Sequence, residues 1–210
     1  MSHSSGLAIV SRYNFSDVEF NTFTDHGDGA KAFVDGEVLA RKGVGRVRID
    51  VFNVSVDVFV THTAADPDPV HGYNNSYYRV RQVRELMKSY VSKSTADIVI
   101  LGGDFNAHPD TDEYGMVRDY MINSVQEIFY RLDEWLSSKF ATYGNAANTF
   151  SGGKYSPVIY DYIFHRSNQP NRTQSWTYWF ELPLFQTPYQ SSEISLSDHE
   201  AIISTIYFWK

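Results

Sequence analysis

The chain has 210 residues, a length typical of one domain, and its 42% hydrophobic and 16% aromatic residues exclude a largely disordered protein. A formal net charge of −7 argues against a protein that coats nucleic acid by charge alone, and zero cysteines exclude disulfides and thiolate metal sites. Because no apolar run reaches the ~20 residues of a spanning helix and the start lacks a signal-peptide pattern, we expect one intracellular domain over 1–210, cytoplasmic or peripheral at membranes.

The first half of the chain alternates between strand and helix patterns. An apolar run predicts a strand at 6–10, and alternating valines and isoleucines predict two strands within 43–61, with a turn near Asn53 and Ser55. Apolar residues spaced by three and four predict a helix over 77–93. Its polar faces would carry Arg79, Arg81, Arg84 and Lys88.

The second half begins with a short continuous apolar run at 98–101, typical of a strand buried on both faces. Helical spacing predicts two further helices, over 116–121 and 125–136, with a break near Asn123 and Ser124. Three more strands are predicted at 158–164, 175–182 and 200–208. Strands outnumber helices and the two are mixed along the chain, which favours an α/β protein with packed sheets and outer helices.

The most informative segment is Gly103-Asp104-Phe105-Asn106, directly after the buried strand. Side chains two apart in an extended chain point the same way, so Asp104 and Asn106 would project together into a cleft while Phe105 enters the core. The alternative is that Asp and Asn only shape a turn before Pro109.

Three other polar clusters also lie at the ends or breaks of predicted strands. Thr61-His62 ends one strand, Tyr160-Asp161 lies within another, and Ser197-Asp198-His199 precedes the last. A lone His or Asp at a strand end is usually a solvated surface residue. Four such clusters together favour a shared site.

In this order, the blocks Thr-His, Gly-Asp-Phe-Asn, Asp-Tyr-Ile and Ser-Asp-His resemble those of the endonuclease/exonuclease/phosphatase superfamily. Within it, the chain is most similar to neutral sphingomyelinases, through Ser5–Ser11, Lys42-Gly43-Val44, Arg79–Gln82 with Glu85-Leu86, Pro109, and Asn148-Thr149-Phe150. The resemblance implies a DNase I-like α/β/β/α four-layer sandwich.

The resemblance also implies catalytic roles. His199 would act as the general base on the attacking water, and Asp161 would hold its tautomer. Asp104 would position the water, Asn106 would hold a phosphoryl oxygen, and His62 would hydrogen-bond the phosphate.

Mg²⁺ is the cofactor that the resemblance implies, because oxygen-only ligands suit a hard cation. Asp198 would lie beside the cation or orient its ligands. Family members carry an Asn and a metal-binding Glu upstream of the segment that matches Gly6–Ser11. We therefore expect an N-terminally truncated domain, and a chain that is weakly active or inactive without those residues.

The function expected from the resemblance is hydrolysis of sphingomyelin, or a related phospholipid, to ceramide and phosphocholine at a membrane surface. Trp179, with Leu184 and Phe185, is a candidate for lipid contact. The alternatives are a Mg²⁺-dependent endonuclease or other phosphoesterase, and a non-catalytic fragment that binds lipid or a partner. The low basic content argues against nucleic acid, and the sequence leaves the oligomeric state open.

Overall fold

The computed structural model of the chain describes residues 6–26, 40–66, 75–123, 141–144, 146, 148–150, 157–169, 173–179, 185–186, 193–195 and 197–208. The predicted helix over 125–136 and the proposed lipid-contact residue Leu184 lie outside these residues. Of Trp179 and Phe185, only the backbone is described. In the described part, no helix is long and apolar enough to cross a bilayer.

The described strands and helices follow one another in this order: β1 Phe15–Thr22, β2 Gly43–Val51, β3 Val54–His62, α1 Ser76–Glu85, β4 Ile98–Asp104, α2 Asp112–Arg118, β5 Ile122–Asn123, β6 Asp161–Ser167, β7 Thr173–Trp179, β8 Phe185–Gln186, β9 Glu193–Ile194 and β10 Ile202–Phe208. Within these residues, six strands form a sheet in the order β1-β2-β3-β4-β6-β5. Its neighbouring strands are antiparallel except for β3 and β4. Strands β10 and β7 form a second, antiparallel sheet, and β8 pairs with β9.

The N-terminal half confirms the predicted hairpin and corrects the predicted first strand. β2 and β3 are joined at Phe52 and Asn53, which both have positive φ as a tight turn requires. Residues 6–14 form no strand, and Val10 is 95% exposed, because none of the described strands pairs with this segment. The first strand is instead β1, whose residues are all exposed, so that burial imposes no alternation on its sequence.

The predicted helix over 77–93 is confirmed as three consecutive helical pieces. α1 continues into one π-helical turn, Leu86–Tyr90, and one 3₁₀ turn, Val91–Lys93. The placement of Arg79 on an outer face was wrong. Its guanidinium is buried because it pairs with Glu113 of α2 and with Asp66.

In the described part of the second half, the predicted element types are confirmed, but several boundaries differ. α2 begins earlier than the predicted helix over 116–121, at Asp112, because the Thr111 side chain accepts the Tyr114 backbone N–H and caps it. β6 begins at Asp161 rather than at 158, and β7 begins at Thr173 rather than at 175. β10 lies within the predicted range 200–208.

The central strands of the six-stranded sheet are covered on both faces. On one face, α1 and the helical turns after it pack against β3, β4 and β6 in a cluster that contains Val83, Leu86, Leu101, Phe105 and Phe164. On the other face, a smaller cluster of Ile49, Val56 and Ile98 packs against Phe208 of β10. The molecule is thus a mixed α/β structure of helices and stacked sheets.

Gly103 in β4 satisfies a local requirement that explains its place in the motif. Its φ is +142°, and a Cβ at this position would overlap the Thr61 carbonyl oxygen of the neighbouring strand. At Gly102, a Cβ would meet nothing nearer than the Tyr162 carbonyl oxygen at 3.7 Å. A side chain is therefore excluded at Gly103 and tolerated at Gly102.

We expect Gly103→Ala to lower the free energy of unfolding by about 1–3 kcal/mol from backbone strain alone, with the overlap on Thr61 adding to the loss. Gly102→Ala is the matched control and should change it by less than about 1 kcal/mol. Urea unfolding of both variants gives the comparison. Equal losses would mean that the conformation of Gly103 is not what the motif requires.

Candidate active site

Three of the predicted site residues lie level with one another on adjacent strands. The parallel register of β3 and β4 places His62 opposite Asp104, and the antiparallel register of β4 and β6 places Asp104 opposite Asp161. Each residue is at the terminus of its strand, so the three side chains share one end of the sheet. The sheet register itself therefore assembles the site.

Asn106 reaches the same end of the sheet through a tight turn rather than an extended strand. Its φ is +45°, in the left-handed region that Asn tolerates better than most residues. Its backbone N–H donates to Asp104 Oδ1 at 2.8 Å, and Phe105 between them is buried in the core as predicted. The predicted extended geometry for Asp104 and Asn106 was wrong, yet the turn still brings them into direct contact.

His199, just before β10, is brought to the sheet by the segment 141–143. Thr142 Oγ1 accepts the backbone N–H groups of Tyr160 and Asp161, and the Thr142 carbonyl accepts the Glu200 N–H at 2.7 Å. The Tyr143 ring lies 4.9 Å from the His199 ring, centroid to centroid.

The His199 imidazole lies between two carboxylates. Its Nδ1 is 2.7 Å from Asp161 Oδ2, and its Nε2 is 3.9 Å from Asp104 Oδ2. Since Nδ1 is engaged by Asp161, Nε2 is the nitrogen left to exchange a proton with a molecule in the cleft.

His62 lies on the other side of Asp104 and contacts a lysine that sequence reasoning did not assign to the site. His62 Nε2 is 3.3 Å from Asp104 Oδ2 and 2.7 Å from Nζ of the buried Lys42. The contact follows from the sheet, because Gly43, next to Lys42, is level with His62 in the register of β2 and β3. Lys42 adds a positive charge to this end of the sheet.

The two carboxylates have different proton affinities. Burial by itself would raise the pKa of Asp104, but the hydrogen bond with His62 and the positive charges of His62 and His199 hold that pKa below its ordinary value. Burial raises the pKa of Asp161, its hydrogen bond with His199 offsets this only in part, and the Asp104 charge raises it further. Asp104 is thus the more firmly ionised of the pair.

Burial favours the neutral form of His199, yet the hydrogen bond to Asp161 and the charges of Asp161, Asp104 and Asp198 raise the pKa of the ring to about 9. The imidazolium form therefore prevails at neutral pH when these carboxylates face the ring alone. A positive charge bound by the same carboxylates would favour the neutral ring, which is the form that can accept a proton.

Three side chains of the site offer ligand atoms that could bind a cation. Asp104, Asp161 and His199 each offer one ligand atom, and these atoms all lie within 4.8 Å of one another. Asp198 is exposed, and its carboxylate accepts the Ser197 hydroxyl at 3.5 Å. The carboxylates of Asp104 and Asp161 are the kind of oxygen ligand that a hard divalent cation prefers. The predicted role of Asp198 stays a prediction.

The structure thus brings His62, Asp104, Asn106, Asp161 and His199 together, with Asp198 adjacent to His199. Sequence reasoning missed Lys42, Thr142 and Tyr143. Lys42 is the first residue of the Lys42-Gly43-Val44 block, which carried part of the resemblance, and that was its available signal. Thr142 acts through hydrogen bonds of its hydroxyl and its carbonyl with backbone N–H groups, and Tyr143 acts through a ring contact; neither leaves a sequence pattern.

Comparison with known proteins identifies the family of the chain. The model of the Endonuclease/Exonuclease/phosphatase family matches residues 2–199. The chain belongs to this family. It is 26% identical over 176 residues to Sphingomyelinase C of Listeria ivanovii, covering 81% of the chain and 48% of that protein, so it spans about half the length of this relative.

Two solved structures of beta toxin from Staphylococcus aureus share the fold. A 275-280 form has a TM-score of 0.70 at 20% identity, covering 96% of this chain and 68% of the toxin chain. The F277A, P278A mutant with bound magnesium ions has a TM-score of 0.64 at 20% identity, and the match covers 98% of this chain and 69% of the toxin chain. The predicted DNase I-like α/β fold is thereby confirmed.

Proposed function

We propose that this chain carries the catalytic centre of a metal-assisted phosphodiesterase that hydrolyses sphingomyelin or a closely related choline phospholipid. The observation that carries the proposal is the His199 ring, bonded through Nδ1 to Asp161 at 2.7 Å with Nε2 facing Asp104 at 3.9 Å. A base held in one tautomer by a carboxylate, beside a second carboxylate, can activate a water molecule.

In the proposed reaction, Asp104 accepts a hydrogen bond from the attacking water and the neutral His199 ring takes its proton at Nε2. The water oxygen forms a bond to phosphorus as the bond between phosphorus and the ceramide oxygen breaks. The products are phosphocholine, which holds the water oxygen, and ceramide, whose oxygen takes up a proton from solvent. His199 then returns its extra proton to solvent. Asp161 stabilises the imidazolium that forms on His199.

The phosphoryl oxygens would accept hydrogen bonds from Asn106, His62 and Lys42. Asn106 donates from its side-chain amide, while the pair of His62 and Lys42, 2.7 Å apart, places donors and positive charge beside Asp104. Such groups stabilise the negative charge that develops on the phosphoryl oxygens in the transition state.

Mg²⁺ is the proposed cofactor. Asp104, one of the grouped donors, would hold it through a carboxylate oxygen, and Asp198, next to His199 in the sequence, would lie beside the ion or orient its ligands. When bound, such an ion polarises the phosphoryl group and stabilises the leaving oxygen. The firm ionisation of Asp104, whose pKa is lowered by its neighbours, suits this role.

A lipid substrate is favoured over nucleic acid by the ion pairs of four described arginines. Arg46 pairs with Asp17 and Glu19, Arg48 with Asp57, Arg79 with Glu113 and Asp66, and Arg81 with Asp25. Cations already neutralised by carboxylates cannot track a phosphate backbone without breaking those pairs. The likeness to Sphingomyelinase C of Listeria ivanovii supports the same choice.

The test is release of phosphocholine from vesicles of phosphatidylcholine containing radiolabelled sphingomyelin, with millimolar Mg²⁺ or with EDTA. We expect slow, Mg²⁺-dependent release above the protein-free rate, lost in EDTA. Plasmid nicking without phosphocholine release would support the nuclease alternative instead. Vesicle binding without turnover of either substrate would favour the binding-only alternative and overturn the proposal.

A further inference from the structure

Thr63 contacts each residue of the Asp104-Phe105-Asn106 segment. It follows β3 directly and is fully buried. Its backbone N–H donates to the Asp104 carbonyl at 3.1 Å, its hydroxyl donates to the Phe105 carbonyl at 2.5 Å, and its carbonyl accepts from Asn106 Nδ2 at 3.1 Å. The hydroxyl, the backbone N–H and the carbonyl of one residue therefore each bond one of three consecutive residues.

The bond from Asn106 determines how its amide faces the cleft. Only the NH₂ group of the amide can donate to the Thr63 carbonyl, so this contact assigns the orientation of the side chain. One N–H of Nδ2 is directed at Thr63, which leaves the second for a phosphoryl oxygen. The left-handed backbone of Asn106, at φ +45°, is held by the same contacts and by Asp104 Oδ1.

Two residues of helix α1 form hydrogen bonds with Ala64, which follows Thr63. The fully buried Gln82 accepts the Ala64 N–H through Oε1 at 2.8 Å and donates through Nε2 to the Asp25 carbonyl at 2.9 Å. Arg79, one helical turn earlier, donates to the Ala64 carbonyl at 3.1 Å. The spacing of Arg79 and Gln82 thus places both on the face that secures residue 64.

We propose that Thr63 is a positioning residue for Asn106: it holds the backbone of Asn106 in its left-handed conformation and orients the amide for a phosphoryl oxygen, and Gln82 supports Thr63 from α1. The identity of the ligand rests on the proposed function. The positioning itself rests on the hydrogen bonds of the chain alone.

The first experiment measures backbone hydrogen exchange by NMR in Thr63→Val, Thr63→Ser and Thr61→Val. Thr61 is the matched control, since its buried hydroxyl donates to the Gly43 carbonyl at 2.9 Å, away from residues 104–106. We expect exchange of the Asn106 amide to rise at least tenfold in Thr63→Val. It should stay within threefold of wild type in Thr63→Ser, which keeps the donor, and in Thr61→Val.

The second experiment measures hydrolysis of bis(p-nitrophenyl) phosphate, a diester without a lipid. Thr63→Val should lower kcat about tenfold with KM within twofold, and Thr63→Ser should restore kcat to within threefold. If Thr63→Val does not fold, Gln82→Met takes its place, with an expected threefold rise in Asn106 exchange.

The positioning role is overturned if Asn106 exchange in Thr63→Val matches that in Thr61→Val, or if Thr63→Ser is as impaired as Thr63→Val. If the wild-type chain hydrolyses no phosphodiester, the proposed function fails on its own test. The exchange measurement then still decides whether Thr63 holds Asn106.

Discussion

Replacing His199 by alanine is expected to lower kcat for sphingomyelin hydrolysis by about 10²–10⁴-fold while KM changes less than threefold. The reason is geometric: with Nδ1 bonded to Asp161, the ring presents Nε2 toward Asp104, where the attacking water is proposed to lie. Loss of the ring removes a proton acceptor used in the transition state and no group that binds the ground state. Radiolabelled sphingomyelin in vesicles with Mg²⁺ gives the rates.

Asp161→Asn in the same assay tests whether the pair acts as a unit. If Asp161 serves only to hold and stabilise His199, the single change lowers kcat, and adding it to His199→Ala costs almost nothing further. An equal cost in both backgrounds would contradict the pairing. His108→Ala is the control, because that ring is 54% exposed and contacts Asp110 rather than the site.

The alternation of apolar residues was sufficient to predict the centre of the sheet. β2, β3 and β4 are flanked by buried layers, so burial imposes a pattern on their sequences. β1 is an exposed edge strand, and the segment 6–10 has a strand-like composition without a partner in the described structure. Edge strands depend on pairing with a neighbour, which local sequence does not encode.

The short motifs were sufficient to predict the residues of the candidate site from the sequence. They were not sufficient to predict its geometry. His62, Asp104 and Asp161 become level through the registers of three strands that are far apart in sequence. The contact between Lys42 and His62 depends on the register of β2 in the same way. The left-handed conformation of Asn106 depends on Thr63, 43 residues earlier.

Arg79 was misplaced because helical periodicity assigns charged residues to the outer face. A guanidinium is buried only when fixed acceptors compensate for its desolvation, and those acceptors come from α2 and from the segment after β3. Nothing in the residues next to Arg79 identifies Glu113 or Asp66 as its partners.

Arg79→Met is accordingly expected to lower the free energy of unfolding by about 3–5 kcal/mol. Arg79 Nε lies 3.2 Å from Glu113 Oε1 and Nη1 lies 2.9 Å from Asp66 Oδ1, and Glu113 is itself buried. Removing the cation would leave the Glu113 carboxylate without its partner in the core, which costs more than the ion pair itself contributes. Urea unfolding monitored by circular dichroism measures the loss.

Two companion variants separate the buried charge from a general effect on α1. Arg81→Met makes the same change two residues along, where Arg81 is half exposed and pairs with Asp25, and should cost no more than about 1 kcal/mol. Adding Glu113→Leu to Arg79→Met removes the uncompensated charge and should recover at least half of the lost stability, because an apolar pair of similar volume often replaces a buried ion pair without loss. If the double variant were as unstable as Arg79→Met alone, the loss would come from the hydrogen bond to the Ala64 carbonyl and from packing rather than from the charge on Glu113. In that event Arg79 would stabilise the fold chiefly by securing the segment that follows β3.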